Sequence, residues 1–112
     1  MKIDQLSPYR GDVFLIRVSQ ESTFPDFANL VNRHYRDFSR SNTQFRKVDG
    51  NGDGISFLIE TTMGTPLLEL TLAGAQESRF LYIERKTCPE QTFREFYMHF
   101  ENQLPTPTDW VI

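Results

Sequence analysis

Hydrophobic and polar residues change their period several times along this 112-residue chain, and each change marks an element. Asp12 to Val18 is apolar on both faces, with Phe14, Ile16 and Val18 on one and Val13 and Leu15 on the other. Such a strand is central in a sheet or lies beneath a second layer. The residues before it close on Ser7-Pro8-Tyr9-Arg10-Gly11, a turn signal, so the first regular element is expected to start at Asp12. From Thr23 the period lengthens. Phe27, Leu30, Val31, His34, Tyr35 and Phe38 recur at helical spacing, whereas Arg33, Arg36 and Arg40 fall outside that stripe and project into water. Thr23-Phe24-Pro25-Asp26 supplies a cap, a first-turn proline and an acid at the positive helix end. Ser39 to Asn42, whose side chains prefer to bond their own backbone, stops the helix.

Four short runs separated by turn signals follow, the pattern of an antiparallel meander. Thr43 to Val48 has no cleanly apolar face and reads as an edge strand, with Arg46 and Lys47 discouraging unwanted pairing. Ile55 to Thr61 and Leu67 to Ala73 alternate, placing Ile55, Phe57 and Ile59, and Leu68, Leu70 and Leu72, on one face each. Arg79 to Glu84 is again apolar on both faces. Thr87-Cys88-Pro89-Glu90 repeats the earlier helix start, and Phe93, Phe96, Tyr97, Phe100 and Leu104 make the most aromatic face of the chain. The expectation is one α+β domain over residues 1–104, in the order strand, helix, four strands, helix, with a curved antiparallel sheet and the aromatic helix packed along one face. Residues 105–112 form an extended tail that opens on Pro105 and Pro107 and closes on Trp110-Val111-Ile112. The element order resembles that of TATA-binding-protein-like and helix-grip folds and, without its last helix, the cystatin-like order. That resemblance concerns architecture and carries no function.

Composition narrows the class. The chain length suits a single core, and ten Phe, four Tyr and one Trp predict an aromatic one. The net charge of −3 disfavours a nucleic-acid binder, although Arg33, Arg36, Arg40, Arg46 and Lys47 lie close together in sequence. A single Cys fits a reducing compartment, no apolar run approaches the ~20 residues of a membrane span, and the first residues lack the apolar stretch of a signal peptide. These features predict a cytoplasmic protein without a membrane partner.

One loop matches a motif with a mechanism. Asp49-Gly50-Asn51-Gly52-Asp53-Gly54, followed by Glu60, satisfies the calcium-loop pattern of the EF-hand, in which oxygens at positions 1, 3, 5 and 12 surround the ion. The match covers 12 residues, position 8 is the polar Ser56, and Thr61, Thr62, Gly64 and Pro66 oppose an outgoing helix. If Ile55 to Thr61 is a strand, Glu60 stands ~20 Å from the loop. The loop is therefore read first as a hairpin turn rich in positive-φ residues, and a Ca²⁺ site survives only through Asp49, Asn51 and Asp53.

No other pattern points to catalysis. Cys88 stands at a helix start after Arg85 and Lys86, a setting that favours the thiolate. His99 lies ~16 Å along the same helix, which leaves only His34 as a conceivable base, and Cys88 reads as a packed cysteine. Arg10-Gly11-Asp12 spells an adhesion tripeptide and reads as a turn. The expected function is non-enzymatic binding of another macromolecule, in the manner of an inhibitor, immunity protein or chaperone, or pairing with a second copy. Val13, Leu15, Leu58, Leu67 and one set from Phe80/Tyr82 or Leu81/Ile83 are left over on the second face of the sheet, which is either a partner or dimer surface or is covered by the first helix or the Trp110-Val111-Ile112 tail. Arg33, Arg36, Arg40, Leu15, Leu58 and Trp110 are the expected contacts. The alternatives are a Ca²⁺ module at residues 49–54 and a small-ligand carrier or enzyme with a cavity between sheet and C-terminal helix. No cofactor other than Ca²⁺ is implied.

Overall fold

The computed structural model describes residues 3–18, 24–49, 55–73 and 80–103. Their order is β1 (Ile3–Leu6), β2 (Val13–Val18), α1 (Phe24–Ser39), β3 (Thr43–Asp49), β4 (Ile55–Thr61), β5 (Pro66–Ala73), β6 (Phe80–Arg85) and α2 (Glu90–Glu101). All strand pairs are antiparallel, in one sheet of order β1-β2-β6-β5-β4-β3. The α+β class and the meander β3 to β6 are as the alternation predicts, with β3 at an edge.

β1 corrects the sequence reading, which gave the first residues no regular element. Four residues with a bulge between Ile3 and Gln5 carry too little alternation to register as a strand. Pairing supplies what the pattern lacks: β1 caps the outer edge of β2, which the sequence marks as a central strand. The chain then reverses through Arg10-Gly11-Asp12-Val13, with Arg10 and Val13 exchanging both backbone hydrogen bonds and Gly11 at φ +61° in the first central position, where glycine is at ease. The adhesion-like tripeptide is thus a hairpin turn, and Asp12 accepts from Arg85 Nε at 2.9 Å.

Both helices pack on the same face of the sheet. Phe14 and Ile16 of β2, Phe57 and Ile59 of β4, Leu68 and Leu70 of β5 and Leu81 and Ile83 of β6 meet Phe27, Val31 and Tyr35 of α1 and Phe93, Phe96, Tyr97 and Phe100 of α2. Phe14 is the hub: its ring lies 5.0 to 6.2 Å from those of Phe93, Phe96, Tyr97 and Phe100. The space between sheet and α2 is therefore filled with interlocked rings. Polar links fix the helices: Tyr97 Oη donates to the Ser7 carbonyl at 2.8 Å, and Thr43 Oγ1 donates to the buried Asn32 Oδ1 at 2.9 Å.

Two further readings are corrected. Thr87 does not cap α2; its hydroxyl donates to the Pro66 carbonyl, and Pro89, without a side-chain cap, occupies the N-cap position. Leu67, expected on the face away from α2, packs against the core. The register shifts between Ile59 and Glu60, so that Ile59 faces Leu68 while Glu60 faces Pro66, and Leu67 falls in the irregularity. The cap of α1 expected at Thr23 and the tail from 105 lie outside the described residues. Among the described residues no helix is long and apolar enough to cross a membrane.

Candidate interaction face

Alternation along each strand sends every second side chain to the face opposite the helices. The registers arrange these side chains in rows. One row runs Leu15, Tyr82, Thr71, Ser56 and Val48 across β2, β6, β5, β4 and β3. The next runs Val13, Glu84, Glu69, Leu58 and Arg46. Phe80 continues β6 beyond Tyr82, the two rings 5.6 Å apart. Val13, Leu58, Phe80 and Tyr82 are half-buried, an intermediate state for apolar residues that no helix among the described residues overlies.

Carboxylates on this face are paired with cations, and Arg17, in register with Phe80, adds a further positive charge at the face's β2 end. Glu69 and Glu84 sit directly opposite one another, a repulsive pair in isolation, and Lys86 Nζ lies 3.8 Å from the first and 2.7 Å from the second. At the β3–β4 edge Glu60 is 3% exposed and accepts from Arg46 Nε at 3.2 Å and Gln44 Nε2 at 3.2 Å. Glu60 thus belongs to this face and points away from any role in the 49–54 loop.

Beside β2 the face deepens into a hollow of about 110 Å³, lined by Ser7, Pro8, Arg10, Val13, Phe14, Leu15 and Tyr82. Its rim is held by the backbone: Ser7 and Leu15 are bonded at 2.8 Å, and the Leu15 N–H also donates to Ser7 Oγ at 2.8 Å. Leu15 itself is only 3% exposed and contributes as lining.

The expected contact residues do not converge. Leu15 and Leu58 share the helix-free face, whereas Arg33, Arg36 and Arg40 are exposed on α1, on the other side of the molecule. The basic stretch is divided likewise, since Arg46 turns to Glu60 while Lys47 faces Phe57 in register on the helix side. Trp110, Asn51 and Asp53 lie outside the described residues, as does the Asp49 side chain. Among the described residues no three His, Cys, Asp or Glu side chains are grouped as metal ligands.

Cys88 is fully buried, with its Sγ 3.5 Å from Tyr35 Oη. Burial pushes its thiol up, against the opposing pull of the Tyr35 hydrogen bond and Arg85, so desolvation outweighs the helix-start setting that favours a thiolate. Its neighbour is Tyr35, whereas His34 rests edge-on against Phe100 at 4.9 Å. Residues missed by sequence reasoning are Val13's neighbour Glu84 and the Ser7-Pro8 rim, while Tyr82 belongs to one of the two sets that the sequence of β6 left open. Their signal was the two-faced apolar character of β2 and β6; which face each residue took depended on register.

No family model, curated protein or solved structure matches this chain.

Proposed function

We propose that this is a cytoplasmic, non-catalytic protein that acts by binding another macromolecule, as inhibitors, immunity proteins and chaperones do, and that the helix-free face of the sheet is its contact surface. One observation carries the reading. Both helices occupy one side of the sheet, so the rows holding Leu15, Tyr82, Val13 and Leu58 have no helix above them among the described residues. Half-buried aromatic and aliphatic side chains around paired carboxylates have the make-up of an interface core with a polar surround.

The hollow supports a protein partner over a carried small molecule. At about 110 Å³ it is well below the ~300–1,000 Å³ of ordinary ligand sites. It suits one apolar side chain of a partner, seated against Leu15 and Tyr82 as an anchor. The partner is another protein or a second copy of this chain joined face to face. The acidic net charge argues against nucleic acid at this face. Isolating the protein from its own cells with whatever accompanies it, beside a Leu58→Lys/Tyr82→Lys variant, tests the reading: the partner, or the dimer, is expected with the native face only.

A further inference from the structure

The arginines of α1 form a second surface with its own chemistry. Arg33 and Arg36 are spaced i, i+3 on α1, ~4.5 Å apart along its axis and about 60° apart around it, and Arg40 follows immediately past the helix end. All three are exposed. Among the described residues Arg46, Arg85, Lys86 and Arg94 each stand within 4.0 Å of a carboxylate, whereas these three, like Arg17 and Lys47, do not, and these three are the ones that follow one another along a single helix and its end. Attraction to the helix C-terminus accounts for cations in the last turn, but Arg33 lies before it, and that attraction does not explain the missing partners in an acidic chain. Arg40 also adopts φ +56°, just past the helix end, where glycine or asparagine is usual.

We infer that this stripe docks a carboxylate-rich segment of another protein. Guanidinium groups pair two-pronged with carboxylates, and glutamates repeating every three to four residues on a helix match the spacing of the stripe. Three charges in a chain of net charge −3, with Asp37 on the same helix, are too few for a phosphate polymer, which repels the rest of the surface. The inference rests on reading the protein as a binding module, yet it uses the side opposite the sheet face, so the two separate experimentally.

The test is fluorescence anisotropy with a labelled helical peptide bearing glutamate every three or four residues, its glutamine counterpart, and a single-stranded oligonucleotide of similar length. The glutamate peptide is expected to bind at least about tenfold more tightly than the glutamine one at low ionic strength. That difference should collapse as the Debye length shrinks to about 3 Å near 1 M salt. Arg33→Gln/Arg36→Gln/Arg40→Gln should abolish binding with an unchanged melting curve; Arg33→Gln/Arg36→Gln, which keeps the native backbone at position 40, should weaken it. Leu58→Lys/Tyr82→Lys should leave it intact, so failure of the sheet-face reading would not register here. Equal binding of the two peptides, binding that survives the arginine changes, tighter binding of the oligonucleotide, or salt-sensitive self-association in light scattering would each overturn the inference.

Discussion

Glu60 and Arg46 meet across β4 and β3 at 3.2 Å, the carboxylate 3% exposed and the guanidinium 56% exposed. The carboxylate that completes a calcium-loop pattern in the sequence is thus committed to the sheet, in a strand rather than an outgoing helix. Removing Arg46 leaves the buried carboxylate, among the described residues, with Gln44 to donate to it. Arg46→Ala should destabilise the protein by about 1–3 kcal/mol in urea unfolding, and Glu60→Gln by less, because a neutral amide tolerates burial better.

The ring cluster around Phe14 should dominate stability. Phe14→Ala removes contacts to four rings of α2 in a fully packed site and should cost about 3–5 kcal/mol, whereas Phe14→Leu should retain much of that. Thermal denaturation followed by near-ultraviolet circular dichroism reads both changes.

Arg40 predicts a stabilising substitution. At φ +56° a side chain costs roughly 1 kcal/mol relative to glycine, so Arg40→Gly should raise stability by up to that amount. Gly11→Ala, at φ +61°, should lower it.

His34 should make stability fall in acid. Burial, and secondarily the charge of His99, hold its pKa below the ordinary 6.5, while Asp37 opposes and Arg33 reinforces the shift. A depressed histidine contributes stability that is complete above the unfolded value of about 6.5 and is lost as pH falls toward the folded one. Unfolding free energy is therefore expected to decline below about pH 6.5, with a shallower decline in His34→Phe. Tyr97 works at the other end: burial and Glu101 push it up to about 12, so its contribution is lost above the ordinary value of 10.

Cys88 should be inert in the folded protein. With the thiol buried and its pKa raised, a disulfide reagent at mild alkaline pH should react only at the rate of unfolding and instantly in denaturant.

What could be read from the residues, and what could not, follows from the length of the pattern. α2 declares itself because Phe93, Phe96, Tyr97 and Phe100 repeat over about two turns, and β4 because Ile55, Phe57 and Ile59 recur at every second position. β1 is four residues long and exists because β2 offers it an edge. The helix-free face was foreseeable as surplus apolar residues, Val13, Leu15 and Leu58 among them, but part of its membership was not: Leu67 moved to the core through one irregularity of register, and the two-faced β6 gave Tyr82 to this face and Ile83 to the core. Convergence of Leu58 with Tyr82, and separation of both from Arg33, are products of tertiary packing that local spacing does not encode.

Site-specific photocrosslinking in the native cell tests the central reading most directly. A benzophenone amino acid at position 82 or 58, on the helix-free face, should give one dominant adduct, either to a single other protein or to a second copy of this chain. The same probe at Met63, 93% exposed in the β4–β5 turn, should give none of it. Adducts of equal yield and identity from all three positions, or none from 82 and 58, would contradict the account.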